Sequence, residues 1–385
     1  MLKYDLLIIG GGVLGTFHAY HALNKGLKVA LIERNQKPQS ATVQNFGQIV
    51  PSGMNPKWQQ YGRESLQIYK DLQAKTDITL RTLGSIYLAS DDDELQLIEE
   101  MSYINKLNEY ESYLLSAKEC YERYPSLNQS YCKGGLFFPQ EVSVNPRLMI
   151  HQVHKILLEN PNFYFYPNTL VKELDSGGNQ CIATDLEGNK YMSEKAIVCS
   201  GNEFQWLYPE IFQKSDIEIV KLQMLRLKPQ HHTQIQGNIL TGLSIRRYES
   251  FYECPSFATI KKKEEPDSFW KKWGIHILFK QEEDGSIILG DSHEYADVQK
   301  KDNIDFYLRE EITQYFINEG RKIMNLEHWQ IDDQWLGTYT QCKTQDIFQH
   351  AIDDKVHIVT GIGGKGMTAS AGFSFYNLSK IYNHG

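Results

Sequence analysis

Gly10, Gly12 and Gly15 stand at the spacing that cradles a dinucleotide's diphosphate, and Glu33, 18 residues after Gly15, supplies a carboxylate suited to ribose hydroxyls. The three glycines act differently. Gly10 turns the chain tightly, Gly12 lets the backbone approach a pyrophosphate, and Gly15 lets a helix pack closely on the preceding strand. Val13 and Leu14 sit between them, where a helix presents free N–H groups and the positive end of its dipole to phosphate. A carboxylate at Glu33 repels a 2′-phosphate, which disfavours NADP.

The elements that position these residues follow from periodicity. Asp5–Ile9 is a short apolar strand, Val13–Lys25 a helix with Leu14, Phe17, Ala22 and Leu23 at helical spacing, and Gly26 a left-handed stop before a second parallel strand at Leu27–Ile32. Strand, glycine turn, helix, strand and acid stand in register over 33 residues, a complete dinucleotide-binding unit.

A second glycine cluster, Gly361–Thr368, follows the strand Val356–Thr360 and opens the last helix, which runs to about Tyr382. No further strand and acid follow, so this cluster does not complete a second fingerprint. With FAD as the dinucleotide, the N–H groups of Gly364–Thr368 and the Lys365 ammonium would face the flavin N1–C2=O edge, where negative charge grows on reduction. Nicotinamide needs no such site.

The chain of 385 residues has room for two domains with substantial cores. Its net charge of −8 argues against a broad nucleic-acid surface, and the one basic run, Lys261-Lys262-Lys263, is followed at once by Glu264-Glu265. No stretch reaches the ~20 apolar residues that span a bilayer, and no signal peptide is expected. Six cysteines without CxxC pairing read as reduced thiols, so a cytoplasmic location is expected. His18/His21 and His151/His154 lie three apart on helices without a third ligand at metal spacing, and no metal is expected.

Between the two glycine clusters the pattern predicts helices at 58–75, 91–108, 116–124, 145–159 and 302–324. Strands are predicted at 84–89, 134–138, 163–166, 170–174, 181–185, 190–192, 196–199, 222–228, 275–280 and 287–290. This is an α/β (α+β) chain of two interleaved domains: a Rossmann-like nucleotide domain from 1–80, 146–220 and 331–385, and a sheet-rich substrate domain from 81–145 and 221–330.

Four pieces, Gly10–Gly15 with Glu33, the loop Ser40–Gln48, the strand end Val198–Gly201 and the cluster Gly361–Thr368, resemble the D-amino acid oxidase superfamily of FAD-dependent amine oxidoreductases. Within it, the segments 44–47, 246–248, 273–276, 290–295 and 335–339 are similar to a subgroup associated with aminophosphonate breakdown. The resemblance implies a GR2-type FAD domain beside a mainly antiparallel substrate domain. It further implies FAD contacts at Ser40 and Ala41, at Asn45, Phe46, Gly47 and Gln48 along the isoalloxazine ring, and at Val171 through its backbone to adenine. Arg34, Ser200, Gly201, Gly337, Gly363, Gly364, Lys365, Gly366, Met367 and Thr368 complete the expected set. Members that bind flavin covalently carry a cysteine where this chain has Tyr339, with Cys342 three residues off, so FAD is expected to be non-covalent.

The reaction implied is hydride removal from the carbon beside an amine, giving an imine that water hydrolyses to an aldehyde or keto acid. Protein groups then hold the C–H about 3–3.5 Å from the flavin and fix an anionic end of the substrate. Arg246, Arg247, His276, His293 and Lys365 are the candidate anchors, and Tyr248 and Tyr339 the candidate covers or phenolic donors. The arginines equally suit ion pairs, and the tyrosines a core. An aminophosphonate such as 2-aminoethylphosphonate or its N-methyl form is the preferred substrate, and glycine, sarcosine or a D-amino acid is the alternative. A hydroxy-acid dehydrogenase would need a base such as His293 beside the substrate carbon; a flavin domain of a nucleic-acid-modifying enzyme and a regulator without turnover are the other classes. Oxygen and a quinone both stay open as electron acceptor.

Overall fold

A computed structural model of the chain describes residues 2–383. Two large sheets divide the molecule. The first has eight strands in the order Phe348–Ile352, Val356–Thr360, Lys190–Val198, Lys3–Ile9, Val29–Ile32, Phe163–Tyr166, with the hairpin Val171–Asp175/Cys181–Asp185 appended to Lys190–Val198. The central four pairings are parallel. Central strands of such a sheet are covered on both faces, which explains why Leu6–Ile8 and Val29–Ile32 are apolar without alternation and fully buried.

Gly10 and Gly15 are where sequence meets packing. Gly10 lies at φ +106° with its would-be Cβ 2.2 Å from the Cys199 carbonyl oxygen, and a Cβ on Gly15 would stand 1.9 Å from the Gly10 carbonyl oxygen. Only glycines let the helix Val13–Asn24 start this close to the strand tips. The final helix, Gly366–Asn383, packs against Pro56–Lys75 and Val13–Asn24. Trp58 stacks on Phe373 with ring centroids 5.5 Å apart, and the Tyr69 hydroxyl donates to the Met367 carbonyl at 2.9 Å. Both ends of the chain are thereby fastened to one core.

The second sheet has nine strands, running Glu294–Asp297, Ile217–Leu227, Ile287–Gly290, Leu278–Gln281, Asn238–Leu240, Ser85–Ala89, Gly134–Phe138, Tyr113–Ser116, with Ile331–Cys342 also paired along Ile217–Leu227. All its pairings are antiparallel except Asn238–Leu240 with Ser85–Ala89. The strand Ile217–Leu227 crosses the expected boundary at 220/221, and Ile331–Cys342, which starts at the expected boundary 330/331 on the nucleotide-domain side, pairs along it in this sheet.

Two element expectations are corrected. The helix expected at 302–324 is confined to Glu310–Ile323. Asp305 and Arg309 are drawn into a tertiary ion network instead: the buried Lys221 ammonium lies 2.7 Å from both Glu294 and Asp305, and Arg309 bridges the same two carboxylates. The strands expected at 190–192 and 196–199 are one continuous strand, Lys190–Val198, because it pairs with Cys181–Asp185 at one end and with Lys3–Ile9 along its length. No helix among the described residues is long and apolar enough to cross a membrane.

Candidate functional site

A cleft of about 500 Å³ lies between the two sheets. One wall comes from the glycine turns of the first sheet. Gly12–Gly15, Ser40–Thr42, Asn45–Gln48, Gly201 and Gly361–Thr368 all line it. The turn is locked before any ligand arrives: Glu33 Oε2 accepts from the Gly11 N–H at 2.8 Å, and Thr42 Oγ1 accepts from the Val13 N–H at 3.0 Å. Among the described residues the N–H groups of Gly12, Leu14 and Gly15 have no acceptor. These are free donors at a helix N-terminus, the arrangement that suits a diphosphate.

Further along the cleft, a Cβ on Gly364 would meet nothing closer than the Tyr339 hydroxyl at 4.0 Å, so the backbone there stands open to the space a flavin ring needs. The Gln48 amide nitrogen, in the cleft lining, is buried without a hydrogen-bond partner among the described residues. This donor set fits an adenine dinucleotide.

The opposite wall belongs to the antiparallel sheet. The one-turn helix Gly242–Ile245 delivers Arg247 and Tyr248, and the segment after Ile287–Gly290 delivers Asp291, His293 and Tyr295. His276, Tyr252 and Tyr339 complete it. The Arg247 guanidinium donates to the Gly274 carbonyl and, at 2.7 Å, to the Tyr295 hydroxyl. His293 Nδ1 lies 2.8 Å from the same Gly274 carbonyl, which places its ring proton on Nδ1 and leaves Nε2 as an acceptor. Burial first and the Arg247 charge second hold both His276 and His293 well below their ordinary pKa, so both are neutral at pH 7. Burial also raises the Tyr248 and Tyr339 phenols, which stay protonated donors.

Arg246 is a correction. It turns away from the cleft and pairs with Glu94 at 2.7 Å and Asp91 at 2.6 Å, a structural tie between the helix Asp92–Leu107 and the start of the substrate wall. Neighbours in a helical turn point about 100° apart, so Arg246 and Arg247 serve different surfaces. Lys365 does line the cleft, but its ammonium is engaged by Glu249 at 3.2 Å.

Six expected cofactor residues lie behind the cleft wall. Gly10 and Glu33 shape the turn; Arg34 pairs with Glu203 at 3.1 Å; Val171 is buried in its hairpin; Gly337 packs on Leu222 and the Gln44 carbonyl; and Ser200 adjoins the strand tip. Sequence reasoning missed Asp291. It lies within the polar run Gly290–Tyr295 at a strand tip, and a carboxyl there reads as an ordinary turn residue until the fold turns it toward the cleft.

The histidine pairs are resolved separately. His18 is held by Leu14, Ser374 and Asn377, His21 by the Ala371 carbonyl, and His154 by Thr16. Among the described residues no group of three or more His, Cys, Asp or Glu is placed to hold a metal ion. The six cysteines are unpaired, five of them buried.

Residues 5–374 match the family model DAO, FAD dependent oxidoreductase, and the chain belongs to that family. It is similar to glycerol 3-phosphate dehydrogenase of Caloramator mitchellensis, 22% identical over 392 residues, covering 99% of this chain and 74% of that protein. It is also similar to mitochondrial sarcosine dehydrogenase of Mus musculus, 27% identical over 148 residues, covering 37% of this chain and 16% of that one. The chain thus spans about a sixth to three quarters of the length of these two curated relatives. The solved glycine oxidase of Geobacillus kaustophilus superposes with a TM-score of 0.76 at 14% identity over 100% of this chain and 95% of that one, a likeness of fold.

Proposed function

We propose that the chain oxidises a small amine bearing an acidic group, passing a hydride from the carbon beside nitrogen to FAD and releasing an imine for hydrolysis. The observation that carries this reading is Arg247. Its planar fork is oriented in the cleft wall by the Gly274 carbonyl and the Tyr295 hydroxyl, and the two histidines beside it are neutral, so it offers a fixed positive site for a carboxylate or phosphonate.

Within this class our preferred substrate is an aminophosphonate, such as 2-aminoethylphosphonate or its N-methyl form, with glycine, sarcosine or a D-amino acid as the close alternative. The glycine turns Gly12–Gly15 and Gly361–Thr368 and the loop Ser40–Gln48, with Glu33 behind them, hold FAD, and the domain division follows the two sheets. FAD is bound without a covalent link: Tyr339 stands in the cleft, whereas Cys342 lies outside its lining and burial pushes its thiol up to about 12. When bound, FAD supplies the hydride acceptor. The chain's own residues anchor the acid at Arg247, close over the substrate with Tyr248 and Tyr339, and exclude water.

A second reading rests on His293, whose free Nε2 in the cleft wall could take a hydroxyl proton and so suits a 2-hydroxy acid. Anaerobic addition of amino acids, aminophosphonates and 2-hydroxy acids, followed by flavin absorbance, separates the readings. Bleaching by amines and not by hydroxy acids supports the first. Bleaching by amino acids but not aminophosphonates overturns the narrower choice.

A further inference from the structure

The cleft wall holds a carboxylate for which the flavin cradle and the anion anchor have no use. Asp291 follows the strand Ile287–Gly290, lines the cleft, and is 16% exposed at its side chain. Among the described residues no other residue donates a hydrogen bond to its carboxylate, although its backbone carbonyl accepts from the His276 N–H at 2.8 Å. Its nearest ring partner, His293 Nε2, lies 3.9 Å away and carries no proton in the tautomer that Gly274 imposes. A largely buried carboxylate without a donor is short of a partner, and the open side of this one is the cleft.

We propose that Asp291 is a catalytic residue that receives the substrate's ammonium group and takes its proton, while Arg247 holds the acidic end, so that the cleft is built for a zwitterion. The inference rests on the amine reading above. The groups that face Asp291 are Arg247 and Tyr248 from the segment after Gly242–Ile245, His276, His293 and Tyr295, and Tyr339 from the strand Ile331–Cys342.

One N–H bond of the ammonium breaks and one O–H bond forms on Asp291, which frees the nitrogen lone pair. The adjacent C–H bond then breaks with both its electrons, leaving as hydride to oxidised FAD, and the lone pair closes the C=N bond. The substrate loses two electrons, the cofactor gains two, and Asp291 returns its proton to water. Burial, opposed by the Arg247 charge, pushes the carboxyl up to about 6, which leaves it ionised at pH 7 and narrows the gap in proton affinity between carboxylate and amine.

The test uses the FAD-loaded holoenzyme. With the amine that bleaches the flavin fastest, the limiting anaerobic reduction rate is measured from pH 5 to pH 10 for the wild type, Asp291→Asn and Asp291→Glu. Calorimetry in parallel measures binding of 2-aminoisobutyrate and isobutyrate, which lack an oxidisable C–H beside an amine and differ only by the amino group. The wild type is expected to show an acid-side break and to prefer the amino probe at least tenfold. Asp291→Asn is expected to lose the break and the preference and to fall about 10²–10⁴-fold in rate, recovering as the pH nears that at which the free amine is neutral. Asp291→Glu is expected to keep a shifted break.

An Asn variant with the wild-type pH profile and probe preference overturns the proposal. If Asp291→Asn does not retain FAD, a Glu variant with an unshifted break and unchanged preference overturns it equally. Bleaching of the wild type by hydroxy acids alone sinks the amine reading itself, before any variant is compared.

Discussion

Glu33 Oε2 and the Gly11 amide nitrogen are 2.8 Å apart, so the acid at the tip of the second strand holds the glycine turn at the end of the first. Its other oxygen accepts from the Asn35 N–H at 3.0 Å. One carboxylate thus holds the glycine turn and fixes its own position at the strand tip. Removing it costs a charge-assisted hydrogen bond worth about 1.5–3 kcal/mol. We expect Glu33→Ala to weaken FAD binding roughly 10- to 100-fold, read by quenching of FAD fluorescence on titration with apoprotein. An unchanged Kd would remove Glu33 from the cofactor site.

The closest helix–strand approach in the cradle admits no methyl group. A Cβ on Gly15 would stand 1.9 Å from the Gly10 carbonyl oxygen, backbone against backbone, with no flexible side chain to yield. Gly15→Ala should give protein that carries no flavin and melts earlier than wild type, whereas Gly26→Ala, with nothing within 4 Å, should keep its FAD content despite the strain of φ +81°.

Arg246 and Arg247 should separate stability from binding. Arg246→Met leaves the buried Glu94 without its cationic partner, and we expect a loss of about 3 kcal/mol in urea unfolding with an unchanged flavin reduction rate. Arg247→Lys keeps the charge but loses the fork, so weaker binding of the anionic substrate by about tenfold or more is expected at near wild-type stability. Swapped phenotypes would show that the guanidinium assignment is wrong.

The Glu141 carboxyl is fully buried, accepting from the Ser52 N–H at 2.8 Å and the Tyr110 hydroxyl at 2.9 Å, and burial raises its pKa to about 7. In the unfolded chain a glutamate titrates near about 4.3. Below that pH both states hold the proton and the contribution to stability is complete. As pH rises the unfolded chain ionises first, and stability falls until the folded group has also titrated, by about 3–4 kcal/mol at pH 8. Glu141→Gln should therefore be more stable than wild type at pH 8 and much closer to it at pH 5, measured by urea unfolding with excess FAD. Parallel stability curves for the two proteins at both pH values would contradict this.

Acid precipitation should leave the yellow flavin in the supernatant, because Tyr339 occupies the relevant cleft position and the Cys342 thiol lies outside its lining. Flavin that stays with the pellet would overturn the non-covalent assignment.

Much of the cradle was legible in the sequence because it is local. A glycine turn between an apolar strand and a helix is dictated by residues within a few positions of one another, and its demand for φ > 0 or close approach leaves few other sequences able to form it. The apolar strands Phe163–Tyr166, Cys181–Asp185 and Val356–Thr360 are found at their expected bounds for the same reason. Where long-range partners compete, locality fails: Asp305 leaves a helical pattern to pair with Lys221, a residue more than 80 positions earlier, and Arg309 pairs with Asp305 and Glu294.

By itself the sequence determined a dinucleotide fold with glycine turns at both ends, since backbone sterics and hydrophobic periodicity act over a few residues. Only the tertiary structure decided that Arg247 and not Arg246 faces the cleft, that Lys365 is engaged by Glu249, and that Asp291 lies beside His293. Those choices depend on helix phase and on strand register across two sheets. They are set by packing between residues far apart in the chain, where spacing along the sequence carries no information.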